Sequence, residues 1–431
     1  MGMGMAWAVF RILNIEIWNL FRISNFEFPP CYTESPMTTT PQRNVPGMPS
    51  RKPAPAPAPA APAIRVGSGR HVSFEASLEF FLSPLVPFLR DAEVNEIMVN
   101  GHDRIYVEKA GRIALTTATF PTEADVQAAA NNIAQFVGQT LSNERPLLDG
   151  RLPDGSRVCI VLGGGEGVAC GGTHINIRRF GRNTATPDFL LGKKSLTPMA
   201  LEFLMLCVKS HRNILVSGGA GSGKTTCVNV LTSAFGPEER IVVIEDTREL
   251  QVQHPHVVQM EARPADVYGR GLVTVRDLFI TALRMRPDRI VVGEVRRGEA
   301  LDMIQAMTSG HHGSLTTLHA STPMDTLYRL ETMALMADVG IPLFALRRQV
   351  ASAIDIIVQT ARLSTGRRLI SHITECHFDE STQNYIAKDI FHLDEVSGEP
   401  TLTWTGTRPE TIEQLRFEGF VDQMDLTKPM L

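Results

Sequence analysis

The chain has 431 residues, 43% of them hydrophobic and 20% charged, a balance that suits sizeable folded cores and, by length, two or three domains. Its net charge of −4 excludes a global basic field of the kind that recruits nucleic acid, although a local patch stays open. The six cysteines contain no C-x-x-C pair, so they point to neither a zinc site nor a disulfide framework and fit small buried residues in a reducing cytoplasm.

No uninterrupted apolar run reaches the ~18 residues of a membrane-spanning helix. The opening "MGMGMAWAVFRILNIEIWNLFR" comes nearest, but Arg11, Glu16 and Arg22 interrupt it and it lacks the order of a signal peptide. Two readings stand: an amphipathic membrane-surface anchor and, preferred, a start codon assigned too early over residues 1–36, with Met37 as a natural beginning. Eight prolines fall between Pro41 and Pro62, so residues 1–68 are expected to form a disordered, Pro/Ala-rich segment.

Order is expected from near residue 70. "SFEASLEFFLSPLVPFLRD" offers Ser73 as a helix cap and apolar residues at helical spacing, broken by Pro84 and Pro87. Over 69–182 the period shortens: "EIMVN", "RIYVEKAGRI" and "HINIRRF" alternate as strands, "RLPDGSRVCIVL" is a turn at Asp154–Gly155 followed by a strand, and "DVQAAANNIAQFVGQ" is a helix. That is a small α+β domain. The glycine-rich "GGGEGVACGG" at 163–172 leads into a strand and lacks the dinucleotide-binding register, so it is a hairpin loop. A linker is expected at 183–192. From 193 to 431, "NILVSG", "RIVVIE", "RIVVGE" and "GSLTTLHA" are compact apolar segments alternating with helices such as "KTTCVNVLTSAF" and "TVRDLFITALRM", the latter with Thr274 as its cap. The pattern is a second, larger α/β domain of the P-loop type with a central parallel sheet.

Within it, "GGAGSGKT" (Gly218, Gly219, Ala220, Gly221, Ser222, Gly223, Lys224, Thr225, followed by Thr226) matches G-x-x-x-x-G-K-[ST] between a strand and a helix. Its glycines let backbone N–H groups turn inward onto phosphate oxygens, and the helix N-terminus adds its dipole. Lys224 is expected to reach the β- and γ-phosphates of ATP and Thr225 to ligate Mg2+. Three further clusters each follow an apolar strand, which brings them to the sheet edge where ligands bind. They are Glu245, Asp246 and Glu249 in "VVIEDTREL", Glu294 in "IVVGE", and His311 and His319 around "GSLTTL". His312, His254 and His256 are read as structural.

The order "GGAGSGKTT", "VVIEDTREL", "LRMRPDRIVVGEVRRGEALDMIQAM", "SGHHGSLTTLHA", "RLETM" resembles the type II/type IV secretion ATPases, and within them the CpaF-type ATPases of Tad/Flp pilus assembly. The likeness extends upstream to "EIMVNGHDRIYVEKAGRI" and downstream to "ASAIDIIVQTARLSTGRRLISHITE", about residues 70–420. The resemblance implies a RecA-like fold for residues 193–431, a homohexamer, and a nucleotide site in a cleft between the two domains. It also implies a bacterial cytoplasmic enzyme, peripheral at the inner membrane through platform partners and without direct nucleic-acid contact. By the same resemblance Gly218–Thr225 is the Walker A motif, Glu245, Asp246 and Glu249 an aspartate box, Glu294 the Walker B glutamate, and His311 and His319 a histidine box. A glycine before that glutamate is usual in the family. Thr225 would then hold Mg2+ directly, Glu245 or Asp246 and Glu294 would hold its waters, and Glu294 would orient or deprotonate the attacking water. Arginines that meet the γ-phosphate fall at Arg157 and Arg178, with Arg179 the adjacent alternative.

The sequence departs from the family pattern at Arg297, where glycine is common, and at His312, where an acid is common, both expected near the site. The loop at 163–172 and the short helical region before residue 90 also depart. Three other functions stay in view: a conjugation or effector-secretion ATPase, a RecA-like nucleic-acid motor, and a nucleotide-binding module without turnover.

Overall fold

The computed structural model describes residues 80–417 and 419, apart from 110, 166, 180–184, 266–268 and 395–398. The expectations for 1–68, for Ser73 and for 183–184 of the linker lie outside the described residues. Phe80 and Phe81 are helical and that helix stops before Pro84, as expected. Pro84 and Pro87 start a short 3-10 turn (Ser83–Leu85) and α1 (Val86–Arg90), each in a first-turn position where the missing N–H costs nothing.

Six antiparallel strands follow, β1 (Val94–Asn100), β2 (Ile105–Lys109), β3 (Arg112–Leu115), β4 (Leu147–Arg151), β5 (Arg157–Val161) and β6 (His174–Arg178), in the order β3-β2-β1-β6-β5-β4. The helix α2 (Glu123–Val137) runs between β3 and β4 in sequence. A capping box between Thr122 and Asp125 starts it, and Gly138, at φ 71°, ends it. Val126, Ala129, Ala130, Ile133 and Ala134 are spaced to one face and pack on the buried side of the sheet, with Ile97, Val99, Val158 and Ile177. The 163–172 segment is the connection between the hairpin strands β5 and β6.

Residues 187–192 are not a bare linker. "TPD" caps a short helix α3 (Pro187–Gly192), in which the Thr186 hydroxyl accepts the Phe189 N–H, and Leu190 enters the core of the next layer. Then come α4 (Pro198–Lys209), β7 (Ile214–Gly218), α5 (Lys224–Thr232), β8 (Ile241–Glu245), β9 (Val257–Glu261), α6 (Val275–Ala282), β10 (Arg289–Val292), α7 (Glu299–Thr308), β11 (Leu315–Leu318), α8 (Pro323–Leu335), α9 (Leu343–Ala353), β12 (Ile356–Arg362), β13 (Arg368–Asp379), β14 (Asn384–Asp394), β15 (Thr401–Trp404) and α10 (Glu410–Phe417).

The strands form one sheet ordered β15-β14-β13-β12-β7-β11-β10-β8-β9. From β9 to β12 the pairings are parallel, and from β12 to β15 antiparallel. Apolar residues cover both faces of the parallel part. Ile214 and Val216 of β7 join one core with α4 and α5, while Leu215 joins the other with α7, α8 and α9. The fold is therefore α/β, with a helix-flanked mixed sheet preceded by a smaller α+β layer.

Because β7, β8, β10, β11 and β12 are mutually parallel, their carboxy-terminal ends share one edge. That edge carries Glu245, Asp246, Glu249, Glu294 and His319, and it faces the strands of the smaller sheet.

Candidate active site

The edge opens into a cavity of about 660 Å3. Its floor is the glycine loop between β7 and α5. Gly221 and Gly223 sit at φ 66° and 103°, a backbone open to glycine at little cost. At Gly218, a Cβ would collide with the hydroxyl and carbonyl of Thr360 on the neighbouring β12, so only glycine lets the two strands close. Ser222, itself buried, ties the loop down by donating to the Gly219 carbonyl at 2.8 Å and meeting the Thr360 hydroxyl at 2.7 Å.

Lys224 is 8% exposed, and its ammonium donates to the carbonyls of Gly218 (3.0 Å) and Gly219 (2.9 Å). Burial lowers its pKa, an effect opposed by Glu294 and Glu249. The His319 ring lies 3.4 Å from the same ammonium and, through Nε2, 3.3 Å from Glu294 Oε1. Burial and Lys224 both lower the His319 pKa, which favours the neutral ring. Glu294 takes the opposite course. Burial would raise it, but hydrogen bonding and charge from Arg296, with His319 and Lys224, hold it below the usual carboxylate range.

Gly293, one residue earlier, has a steric reason. A Cβ there would lie 2.8 Å from Glu245 Cγ, so the space an aspartate would need is filled by Glu245. Glu245 is 3% exposed, and its Oε1 accepts the N–H groups of Glu249 and Leu250, each at 2.8 Å. Burial pushes its pKa up to about 7 despite those bonds. Placed so, Glu245 orders the turn that carries Glu249. It is Glu249 that meets the Thr225 hydroxyl, at 3.3 Å. Asp246 is half-exposed and paired with Arg296 at 2.9 Å.

Across the cavity, Arg157 and Arg178 stand directly opposite each other on β5 and β6 and share a face. Arg157 is held by Asp149, with Nε 3.1 Å from Oδ1, and Arg178 pairs with Glu249 at 3.3 Å. Two guanidiniums side by side, each balanced by a carboxylate, mark a surface able to take an anion. Arg179 differs: its guanidinium donates to the carbonyls of Phe88 and Asp91 and braces the end of α1.

Three sequence expectations need correction. His311 precedes β11 by four residues and sits at the amino-terminal edge, away from the cavity that His319 lines at the other end of the same strand. Parallel strands put opposite ends of one strand on opposite edges, so the two histidines do not form one cluster. His312 is exposed at that same far edge, and Arg297 is exposed outside the cavity. Glu245 lines the cavity and gives one carboxylate oxygen to its own turn, and Glu249 is the carboxylate nearest Thr225.

Sequence reasoning missed Arg296, Arg362, Arg368 and Glu108, all lining the cavity. Arg296 bridges two of the singled-out carboxylates, and its position two residues after Glu294 was visible. Arg362 was findable by register: Thr360 pairs with Gly218, so the residues after it must pass the glycine loop.

The residues fit a magnesium nucleotide. The cradle combines glycines without a Cβ, a buried ammonium whose present acceptors are its own loop carbonyls, and a set of hydroxyl and carboxylate oxygens of the hard type Mg2+ prefers. Among the described residues no group of three or more His, Cys, Asp or Glu side chains closes around a metal. No helix among them is long and apolar enough to cross a membrane.

The chain is similar to the type IV secretion system protein PtlH of Bordetella pertussis, 35% identical over 315 residues, covering 67% of this chain and 91% of PtlH. It is 32% identical to the type IV secretion system protein VirB11 of Brucella suis over 343 residues, covering 72% and 93% of the two chains. With the conjugal transfer protein TrbB of Rhizobium radiobacter it shares 31% identity over 287 residues, 65% and 83% of the two. The crystal structure of Brucella suis VirB11 with sulphate matches 71% of this chain and 99% of that one at a TM-score of 0.38 and 30% identity. The model of the type II/IV secretion system protein family matches residues 81–396, and with these relatives it establishes that the chain belongs to that family.

Proposed function

We propose that the chain is a MgATPase that assembles into a hexameric ring and turns hydrolysis into domain motion for a bacterial secretion or pilus machine. The observation that carries this reading is the convergence of Lys224, His319 and Glu294 within 3.4 Å contacts above the glycine loop. Lys224 would exchange the Gly218 and Gly219 carbonyls for phosphate oxygens. Glu294, kept ionised by Arg296, is the acceptor for a proton from the attacking water, and His319 fixes its direction. Arg157 and Arg178 face the same space and would offset charge that develops on the transferred phosphoryl group. Mg2+ would be held by Thr225, with Asp246, Glu249 and Glu294 through water, and supplies Lewis-acid neutralisation of phosphate charge when bound. Glu245 orders the turn between them.

The cargo reading we favour is pilin extraction and assembly of the Tad/Flp type. It rests on the motif set from "EIMVNGHDRIYVEKAGRI" to "RLISHITE". On that reading the chain works in the cytoplasm and meets the inner membrane through platform proteins. A second reading, conjugation or effector secretion, is supported by the names of PtlH, VirB11 and TrbB. Loss of surface pili on gene deletion, with conjugation intact, favours the first; the reverse favours the second. DNA-stimulated hydrolysis would overturn the first in favour of a nucleic-acid motor.

The hydrolytic role is tested with Glu294→Gln. Phosphate release from MgATP should fall about a hundredfold or more, the scale of a lost general base, while ATP is still retained on the protein. Full turnover in that variant would remove Glu294 from the chemistry.

A further inference from the structure

Arg362 closes β12 and Arg368 opens β13, and both line the cavity with Arg157 and Arg178. The Arg362 guanidinium approaches Gly221 so closely that a Cβ there would lie 3.4 Å from Nη1, and Arg368 runs past Gly223 at 3.9 Å by the same measure. Both side chains run past the loop and end near the smaller sheet. Arg362 lies 3.9 Å and Arg368 3.6 Å from the same oxygen, Oε1 of Glu108 on β2, and Arg362 also donates to the carbonyl of Gly111.

Glu108 is a poor partner for two cations. Its side chain is 14% exposed, yet Oε1 is buried with no hydrogen bond, since both guanidiniums stand beyond hydrogen-bonding distance. It also stands opposite Glu96 on β1, a carboxylate whose pKa is raised by burial and then by Glu108 itself. Phosphate oxyanions on the glycine loop would offer the same guanidiniums more charge and a bidentate geometry.

We propose that Arg362 and Arg368 are phosphate-binding residues that Glu108 holds in reserve, so that nucleotide binding and the grip of the hairpin on the smaller sheet compete for the same two side chains. The proposal deepens the nucleotide reading and depends on it. In the nucleotide-free chain the arginines tie β2 to the β12–β13 hairpin. With phosphates on the loop they swing to the ligand and the tie is released, so phosphate occupancy is passed to the smaller domain without a moving backbone wire.

The test is the affinity of full-length chains for a fluorescent ADP analogue, in the wild type, in Glu108→Gln, in Arg362→Gln with Arg368→Gln, and in the triple variant. Removing the competitor should tighten binding in Glu108→Gln, a gain that general damage would not produce, and removing the arginines should weaken it about tenfold. In the triple variant the gain from Glu108→Gln should vanish, because there is nothing left to release. A gain of equal size with and without the arginines would mean that Glu108 acts only as a nearby charge, and the proposal fails. No gain in Glu108→Gln, or unchanged affinity without the arginines, also overturns it while leaving the nucleotide site intact. If the wild type binds no ADP, the nucleotide reading falls and takes this one with it.

Discussion

Glu245 shows how much one buried carboxylate can decide. It fills the space beside Gly293, accepts two loop N–H groups and is almost sealed from water. Its pKa is raised from 4.5 to about 7, burial being the largest cause. The folded state therefore binds the proton more tightly than the unfolded chain. The stability this contributes is fully present below the unfolded pKa and is lost as pH rises through about 7. Glu245→Gln keeps the acceptor oxygen and has no proton to lose. Urea unfolding should therefore show the wild type losing stability relative to the variant between pH 5 and pH 8, by about 3 kcal/mol at most. Parallel pH profiles would show that burial does not act on this group as argued. At this scale the sequence was informative about which residues gather, since each follows an apolar strand. It was silent on which carboxylate faces Thr225, because Glu245, Asp246 and Glu249 share one turn and only its hydrogen bonds separate them.

At the scale of elements, legibility followed burial. β7, β8, β10 and β11 are buried throughout and stood out as short apolar runs. β4 and β9 carry mixed, partly exposed residues and gave no such signal. The antiparallel β13 was reached only by resemblance and β14 was not singled out, for their polar and apolar residues mix along twelve and eleven positions. The helix at Pro187–Gly192 was legible and overlooked, as Thr-Pro-Asp is a helix start of the kind that also opens α4 and α8 with Thr-Pro. The misplacement of His311 came from treating a strand as a point. His311 precedes β11 and His319 follows it, so the strand's length separates them.

The C-terminal helix makes an element-scale prediction. Glu375 on β13 accepts the N–H groups of Glu410 (2.9 Å) and Thr411 (2.7 Å) at the start of α10, and also meets His377. Burial alone would raise its pKa, but His377, Thr411 and those N–H groups lower it to about 2. A depressed carboxylate contributes stability above its unfolded pKa and loses it as pH falls toward 2. Glu375→Gln should therefore destabilise the chain at pH 7 by about 3 kcal/mol at most, with the gap from wild type closing below about pH 4. A gap that persists undiminished at pH 3 would rule out a charge-dependent anchor.

In the whole molecule, the two sheets meet through a small set of polar ties around the cavity. Arg151 reaches Glu261 at 2.6 Å, Arg178 reaches Glu249, and Arg362 and Arg368 reach Glu108. Partly exposed ion pairs of this kind contribute about 0–1 kcal/mol each, so the joint is held by groups that a phosphate or a metal-bearing ligand can outcompete. On the proposed motor reading, that is the property a hinge needs, and the motion is expected at the cavity rather than in either core.

The measurement that bears most directly on this account is phosphate release from MgATP per subunit across a protein dilution series, with Lys224→Ala alongside. The account predicts turnover that depends on Lys224 and whose specific activity falls as dilution drives the assembly toward monomers. Undiminished turnover from a monomer would contradict the ring motor, and no turnover at any concentration would contradict the enzyme.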